Sequence, residues 1–343
     1  MEHHLFKHNE PYQLECGEEL HRFQLKYCTL GKLNADKSNV IWVIHALTAN
    51  AEAEDWWEGL IGEGKLYDPE KHFIICANNL GSCYGSSGPL DTNPKTQKLY
   101  LRDFPLLTIR DMAGALELLR QDLGFDKVHT LVGGSMGGMQ ALEWSIMKSG
   151  VFENMILLAT NAKNSPWGIA LNETQRMCIE ADTTWKEHRP DAAQNGLRAA
   201  RSVAMFSYRN YAAYWNTQSE TDIEKIDHYK ASSYQSYQGE KLVKRFNVHS
   251  YYTLTKAMDS HQVGRGRGSM EAALKLVKAN TLVIAISTDV LFPVSEQKTL
   301  AKEIPGAEYA EIESFYGHDG FLIESPAITD IILNFYSKNK VNY

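Results

Sequence analysis

Residues 129–144 read His129-Thr-Leu-Val-Gly-Gly-Ser-Met-Gly-Gly-Met-Gln-Ala-Leu-Glu-Trp144 and contain the pattern G-x-S-x-G at positions 133–137. An apolar run ends at Val132 and a helical pattern begins near Met136, so the motif lies between a strand and a helix, where such a serine acts as a nucleophile. The residues two before and two after the serine must be small where the two backbones approach. The motif therefore predicts Ser135 as an exposed nucleophile at a strained turn. The alternative is a glycine-rich turn with an incidental serine.

A nucleophilic serine needs a base, and the base needs an acid that orients it. In the fold that carries this motif, the acid and then the histidine follow the serine along the chain, each just past a strand. Asp289 follows an apolar run at 281–286, and His318 follows a weaker strand pattern at 308–312. The sequence thus predicts a triad of Ser135, Asp289 and His318, with a simple turn residue as the alternative role of Asp289.

The tetrahedral intermediate of acyl transfer needs two backbone N–H donors around its oxyanion. Met136, directly after the serine, is the first candidate donor. The second candidate is Leu47, in the loop His45-Ala-Leu-Thr-Ala-Asn50 that follows an early strand. A plain connecting loop is the alternative interpretation of residues 45–50.

Apolar runs alternate with helical patterns along most of the chain, and the clearest helical pattern covers residues 109–123. Continuous apolar strands are typical of a mostly parallel sheet that is covered by helices on both faces. The predicted class is therefore α/β, and the serine motif indicates an α/β-hydrolase fold with a mostly parallel central sheet flanked by helices. The predicted buried strands are residues 40–44, 73–77, 128–132, 155–159 and 281–286.

This alternation stops between about residues 163 and 270, where the sequence is polar, aromatic and helix-like. A structureless loop of that length is improbable in a compact protein. We therefore expect an all-helical lid domain at residues 163–270, called the helical insertion below. The α/β core would then comprise residues 1–162 and 271–343.

The 343 residues include 35 Lys and Arg against 42 Asp and Glu, giving a net charge of −7. Such a chain has no electrostatic reason to bind nucleic acid or an anionic membrane surface. No apolar run approaches the roughly 20 residues of a membrane-spanning helix, and no secretion signal is recognised. Five scattered cysteines favour free thiols in a reducing compartment, so the expected localisation is cytoplasmic. Neither a metal nor a permanently bound cofactor is expected, because the histidines and carboxylates lack ligand spacing.

The block Gly133-Gly-Ser-Met-Gly-Gly-Met-Gln-Ala-Leu-Glu-Trp144 resembles the signature of the homoserine O-acetyltransferases of methionine biosynthesis. The resemblance extends over nearly the whole chain and includes several further blocks in the same order. These are His45-Ala-Leu-Thr48, Trp56-Trp57 with Gly59-Leu-Ile-Gly62, Asn79-Leu-Gly-Ser-Cys-Tyr-Gly-Ser-Ser-Gly-Pro89, Phe104-Pro105 with Thr108-Ile-Arg-Asp111, Asp259-Ser-His-Gln-Val-Gly-Arg-Gly-Arg-Gly268 and Tyr316-Gly-His-Asp319.

The resemblance implies that Ser135 takes an acetyl group from acetyl-CoA and passes it to the γ-hydroxyl of L-homoserine in a ping-pong reaction. It also implies that Arg201 binds the homoserine carboxylate with help from Tyr208, and that Asp319 faces the ammonium group. A helix-surface charge is the alternative role of Arg201. The family further implies a homodimer that associates through the helical insertion.

Two arginines in the glycine-rich segment Gly264-Arg-Gly-Arg-Gly268 are candidate contacts for CoA phosphates, because arginine recognises phosphate well. These are Arg265 and Arg267, and a flexible connector is the alternative interpretation of the segment. No strand precedes it and no G-K-[ST] is present, which argues against a nucleotide-binding loop.

Other activities remain open on the same motifs, because fold and triad do not themselves select the acyl acceptor. An esterase or thioesterase would use the same triad with water, but it would have no reason to keep an amino-acid pocket. Succinyl-CoA and L-serine are alternative substrates within the transferase class. No spare cation is recognised beside Ser135 in the sequence, which favours an acetyl donor over a succinyl donor.

Overall fold

The computed structural model describes residues 1–341. The strands are β1 (Glu2–His8), β2 (Tyr12–Gln13), β3 (Glu19–Leu20), β4 (Phe23–Leu30), β5 (Val40–Ile44), β6 (Phe73–Ala77), β7 (Val128–Gly134), β8 (Phe152–Leu158), β9 (Asn280–Ile286) and β10 (Glu308–Ile312). The α-helices are α1 (Ala53–Trp56), α2 (Ile109–Asp122), α3 (Met136–Met147), α4 (Pro166–Glu180), α5 (Gln194–Tyr208), α6 (Tyr211–Gln218), α7 (Lys230–Val243), α8 (Val248–Asp259), α9 (Met270–Leu274), α10 (Val294–Glu303), α11 (Gly320–Ile323) and α12 (Ser325–Lys338). Two short 3-10 helices cover Leu101–Asp103 and Gly317–Asp319.

Eight strands form the central sheet in the order β1-β4-β6-β5-β7-β8-β9-β10. The six strands from β6 to β10 in that order are parallel, whereas β1 and β4 pair antiparallel at one edge. This topology confirms the predicted α/β class and the mostly parallel sheet. Because the carboxyl ends of parallel strands lie along one edge of a sheet, the loops after β5, β7, β9 and β10 lie on the same side.

Apolar residues define the predicted strands well, because each strand is covered on both faces. The predicted bounds of β5 and β6 match the structure, and β7, β8 and β9 are each found with slightly different ends. Helix α2, predicted at 109–123, begins after Thr108, whose side chain forms a capping box with Asp111. Strands β1 and β4 were not predicted, because the first predicted strand begins at residue 40. Polar residues interrupt the apolar residues of both strands, so neither strand is a continuous apolar run.

Strand β5 shows how the sheet divides the core into two clusters. All five residues of β5 are buried, and alternate side chains point to opposite faces. Val40, Trp42 and Ile44 join the cluster that includes α2 and α3, where the Trp42 and Trp144 rings meet edge to face at 5.0 Å. Ile41 and Val43 join the cluster beneath α12. Apolar burial on both faces holds β5 and its following loop in place.

Between β8 and β9 the chain forms helices α4 to α9, and no named strand lies among them in residues 159–279. Helix α5 packs against α4 and α7, and helix α8 packs against α4. Within residues 1–341, no helix is long and apolar enough to cross a membrane.

The two ends of this helical region meet as a short antiparallel pairing. Lys163 and Gln262 form an isolated bridge, and Asn164 donates its backbone N–H to the carbonyl of His261 at 3.0 Å. The His261 ring lies inside this junction and donates from Nε2 to the Asn161 carbonyl at 2.9 Å. Its Nδ1 has no hydrogen-bond partner among residues 1–341. Burial lowers the pKa of His261 to about 4.

We expect the substitution His261→Gln to weaken the pH dependence of stability. The unfolded chain exposes an imidazole with an ordinary pKa near 6.5, whereas the folded pKa is about 4. Between these values the unfolded state binds the proton more tightly, so the free energy of unfolding falls as the pH falls from about 6.5 to about 4. Urea unfolding at about pH 7.5 and about pH 5 should show this loss reduced by about 2 kcal/mol in the variant.

The exposed His228 provides the matched control, because His228→Gln should leave the difference between the two pH values unchanged. An unaltered pH dependence in His261→Gln would contradict a neutral, buried imidazole at the junction.

Candidate active site

Ser135 lies between β7 and α3 with φ 57° and ψ −128°, a conformation that residues with side chains rarely adopt. A methyl group on Gly133 would lie 2.5 Å from the Gly137 carbonyl oxygen. A methyl group on Gly137 would lie 2.1 Å from the carbonyl oxygen of Ile44. Glycine is therefore required on both sides of the serine, which is the steric reason for the motif.

His318 links the serine to an acid through both ring nitrogens. Its Nε2 lies 2.9 Å from Ser135 Oγ, and its Nδ1 lies 2.7 Å from Asp289 Oδ2. The other carboxylate oxygen, Oδ1, accepts backbone N–H groups from Leu291 at 2.8 Å and Phe292 at 2.9 Å. The carboxylate is thus fixed on both oxygens, which favours the tautomer with the proton on Nδ1 and an acceptor at Nε2. The structure brings the three predicted triad residues together.

The triad is buried and surrounded by aromatic rings. Ser135, Asp289 and His318 are each no more than 5% exposed. The rings of Phe292 and Phe321 lie 5.2 and 5.1 Å from the His318 ring, measured between centroids. A low-polarity surrounding strengthens the hydrogen bonds of the triad and limits access of water.

The two candidate oxyanion donors are Met136, next to the serine, and Leu47, in the loop after β5. Met136 is the first residue of α3, so its N–H has no partner inside the helix. Leu47 follows β5 and lines the same cavity as Ser135 and His318. Within residues 1–341, neither N–H is bonded to a backbone carbonyl. Both are therefore available to a developing negative charge, as an oxyanion hole requires.

A buried histidine that the sequence analysis did not assign fixes the Leu47 loop. His45 Nδ1 donates to the Ala46 carbonyl at 2.8 Å, while its Nε2 accepts the backbone N–H of Asn79 at 3.0 Å. Burial lowers the pKa of His45 to about 4, so the ring is neutral at pH 7 and can accept that hydrogen bond. Gln140 extends the network by donating to the Asn79 side chain at 3.2 Å. The sequence could have indicated the contact between His45 and Asn79, because these residues closely follow the neighbouring strands β5 and β6.

The cavity above the serine has a volume of about 370 Å³ and also contains the predicted amino-acid pocket. Arg201, Tyr208 and Asp319 all line it. The guanidinium carbon of Arg201 lies 4.9 Å from the centre of the Tyr208 ring, which in turn lies 6.0 Å from the His318 ring. An aromatic ring thus lies near His318, the predicted base, with a cation against that ring.

Asp319 already has a cationic neighbour. Its Oδ2 lies 3.0 Å from Nε of Arg209, an arginine to which sequence reasoning gave no role. Burial raises the pKa of Asp319, and the positive charges of Arg209, His318 and Arg201 act in the opposite direction. The carboxylate is therefore held beside the base with part of its charge balanced.

The two arginines suggested for CoA phosphates lie outside this cavity, and both form ion pairs with carboxylates. Arg265 forms an ion pair with Glu15 at 2.7 Å, and Arg267 forms one with Glu143 at 2.6 Å. Neither lines the cavity of Ser135. The structure thus corrects that interpretation: these arginines join the end of the helical region to the N-terminal segment and to α3.

Two other cations take part in the cavity lining instead. Lys241, in the last turn of α7, and Arg245, just after it, line the cavity together with Ser135. The sequence indicated no spare cation in this region; both side chains are exposed and line the cavity of Ser135 from its solvent side. Only their spacing of four residues on a polar helix could have indicated them, and that spacing does not reveal a cavity.

A larger cavity of about 460 Å³ lies elsewhere, between the N-terminal segment and residues 87–104. Its lining contains Lys7, Arg22 and Asp91 but no hydrogen-bonded serine and histidine pair among the described residues. No group of three or more His, Cys, Asp or Glu residues within 1–341 is arranged to hold a metal ion.

Comparison with known proteins agrees with this geometry. The family model for the α/β-hydrolase fold matches residues 39–325. A homoserine O-acetyltransferase of Cyclobacterium marinum is 51% identical over 335 residues, which cover 98% of this chain and 95% of that protein.

Two solved structures have similar folds. A homoserine O-acetyltransferase from Bacillus anthracis has a TM-score of 0.90 with 28% identity, over 97% of each chain. An acetylester hydrolase from Corynebacterium glutamicum has a TM-score of 0.86 with 26% identity, over 98% of this chain and 96% of the other. The family model and the 51% identity confirm the resemblance found in the sequence: the chain belongs to the homoserine O-acetyltransferase family, within the α/β-hydrolase fold.

Proposed function

We propose that the protein transfers an acetyl group from acetyl-CoA to the γ-hydroxyl of L-homoserine by a ping-pong mechanism, as a step in methionine biosynthesis. The observation that carries the proposal is one cavity that combines the hydrogen-bonded triad with Arg201, Tyr208 and Asp319. An acceptor with a carboxylate and an ammonium group needs opposite charges close to the base, and this cavity provides them. Family membership supports the same reaction.

In the first half-reaction, His318 Nε2 takes the proton of Ser135 Oγ while Oγ attacks the thioester carbonyl carbon. Asp289 stabilises the imidazolium that forms. The carbonyl oxygen becomes an oxyanion, which the N–H groups of Leu47 and Met136 stabilise. The carbon–sulfur bond then breaks, His318 returns its proton to the sulfur, and CoA leaves as a thiol.

In the second half-reaction, the γ-hydroxyl of homoserine gives its proton to His318 Nε2 and its oxygen attacks the acetyl-serine carbonyl. The ester bond to Ser135 breaks, and the proton returns to Oγ, so no net proton is consumed. Arg201 holds the carboxylate with Tyr208 beside it, and Asp319 faces the ammonium. These contacts hold the acceptor hydroxyl near the reacting carbon, which favours it over water.

The helical insertion, residues 163–270, acts in this proposal as a lid domain on the core formed by residues 1–162 and 271–343. It supplies Arg201 and Tyr208 and shields the acetyl-serine from water. Its large exposed aromatic side chains support a homodimer that associates through this region, since large apolar patches mark interfaces. They are Trp167, Phe206, Tyr211, Trp215, Tyr229 and Tyr237. The reaction and its substrates fit a cytoplasmic enzyme without a resident cofactor or metal.

A hydrolase is the second candidate, because the acetylester hydrolase from Corynebacterium glutamicum has a similar fold. The same triad would then use water in the second step. Arg201 and Asp319 distinguish the two functions, since an ester hydrolase needs no amino-acid pocket. Succinyl-CoA and L-serine are the alternative substrates to compare in the same assay.

Incubation of the wild-type protein with acetyl-CoA alone should leave an acetyl group on the peptide that contains Ser135, detected by mass spectrometry. Addition of L-homoserine should remove that group and release CoA thiol continuously. The Ser135→Ala variant should show neither adduct nor turnover, with a loss of several orders of magnitude. Thiol release at the same rate without an amino acid would instead establish a thioesterase.

The substitution Arg201→Gln should raise the KM for L-homoserine by at least about tenfold, because a charge-assisted contact to the carboxylate is lost. The rate of acetyl-enzyme formation without homoserine should change little. Arg198→Gln is the matched control, since Arg198 lies on the same helix and pairs with Glu240 at the surface. Equal effects of the two substitutions on the homoserine KM would contradict the assigned role of Arg201.

A further inference from the structure

Lys241 and Arg245 form a pair of cations at the rim of the active-site cavity. Both side chains are exposed, and they lie four residues apart at the end of α7. Within residues 1–341, Lys241 has no ion-pair or hydrogen-bond partner, and Arg245 has no carboxylate within 4.0 Å. Arg245 donates instead to the Thr48 carbonyl and to the Tyr84 hydroxyl at 3.0 Å.

Several other arginines of the helical insertion are paired with acids. Arg176 binds Asp259 at 2.5 Å, and Arg198 binds Glu240 at 3.0 Å. Lys241 lies in the last turn of α7 and Arg245 just after the helix, so two unpaired cations line one cavity, where an anion between them would be stabilised. Two acids, Asp55 and Asp319, also line this cavity, and in the described residues neither forms an ion pair with Lys241 or Arg245.

The cations of the cavity lie at two depths. Arg201 is half-buried and contacts Tyr208, which lies beside His318, so it suits the carboxylate of a small acceptor. Lys241 and Arg245 lie at the solvent side of the same cavity and suit a ligand whose anionic end extends outward from the reacting carbon. In a CoA thioester, a long uncharged pantetheine arm separates the thioester from the phosphates.

We propose that Lys241 and Arg245 bind the phosphates of the CoA donor at the cavity rim. This inference rests on the proposed function and identifies the donor site that Arg265 and Arg267 do not provide. Arg245 also contacts Thr48, the neighbour of Leu47, so it connects the donor site to the loop that carries an oxyanion donor. Lys241 makes no such contact and is the cleaner probe.

The test compares two donors: acetyl-CoA and S-acetyl-pantetheine, which has the same thioester and arm but no phosphate. The Lys241→Gln variant should have a KM for acetyl-CoA raised roughly fivefold, the scale of one exposed charge contact, with kcat nearly unchanged. The KM for S-acetyl-pantetheine should be equal in the wild type and the variant. Added salt should raise the wild-type KM for acetyl-CoA more than that of the variant.

Lys244→Gln is the matched control, because Lys244 is exposed on the same helix end but does not line the cavity. It should leave the KM for both donors unchanged. An unaltered KM for acetyl-CoA in Lys241→Gln would overturn the proposal, and so would an equal rise for the donor without phosphate. A change seen only with succinyl-CoA would assign the cation to an acyl carboxylate, and a change only in the homoserine KM would assign it to the acceptor.

A binding measurement separates this proposal from the proposed function. Titration calorimetry of CoA itself with the wild type, Lys241→Gln and Lys244→Gln requires no turnover. Weaker CoA binding in Lys241→Gln alone would support the phosphate site even if homoserine fails as an acceptor. Equal CoA affinity in all three proteins would overturn it even if the transferase activity is present.

Discussion

The close approach of β7 and α3 leaves no room for a side chain on either flank of Ser135, and the active site depends on this contact. A second close approach joins α3 to β5, because Gly137 lies against the Ile44 carbonyl, and it fixes the start of the Leu47 loop. A residue with a side chain at positive φ costs about 1–3 kcal/mol. Hydrogen bonds around Ser135 offset this cost: its N–H donates to Leu158, and its carbonyl accepts from Thr160 at 2.8 Å.

The order of the parallel strands explains why distant residues meet at this turn. Strands β5, β7, β8, β9 and β10 are successive neighbours in the sheet, and the loops after four of them carry Leu47, Ser135, Asp289 and His318. Each loop therefore begins at a fixed position along the same edge. Burial of β5 and β7 on both faces keeps those positions rigid, which a catalytic geometry of a few tenths of an ångström requires.

The sequence predicted this part of the molecule because local patterns determine it. The G-x-S-x-G spacing reflects a steric limit inside five residues, and the strands are continuous apolar runs. The positions of Arg265 and Arg267 instead depend on contacts with Glu15 and Glu143, far away along the chain. Nothing within residues 264–268 shows that carboxylates will bind those arginines. The same holds for Lys241 and Arg245, whose helix could have presented them to any surface.

In the proposed function, most of the chemistry and most of the selectivity come from different parts of the chain. The loops of the sheet carry the predicted serine, base, acid and oxyanion donors, which esterases and acyltransferases need alike, and they also carry Asp319. Arg201, Tyr208, Lys241 and Arg245 all come from residues 163–270. Packing between helices and contacts to the core, such as that of Arg245 with Thr48, fix their positions. A contact to an acceptor carboxylate is worth about 1–3 kcal/mol, which corresponds to roughly ten- to a hundredfold in rate. This factor is small beside the effect of the triad on the rate of either reaction. Under the proposed function, changes in these helices would select between water and an amino-acid hydroxyl while the catalytic turn stays the same, which agrees with the similar fold of an acetylester hydrolase.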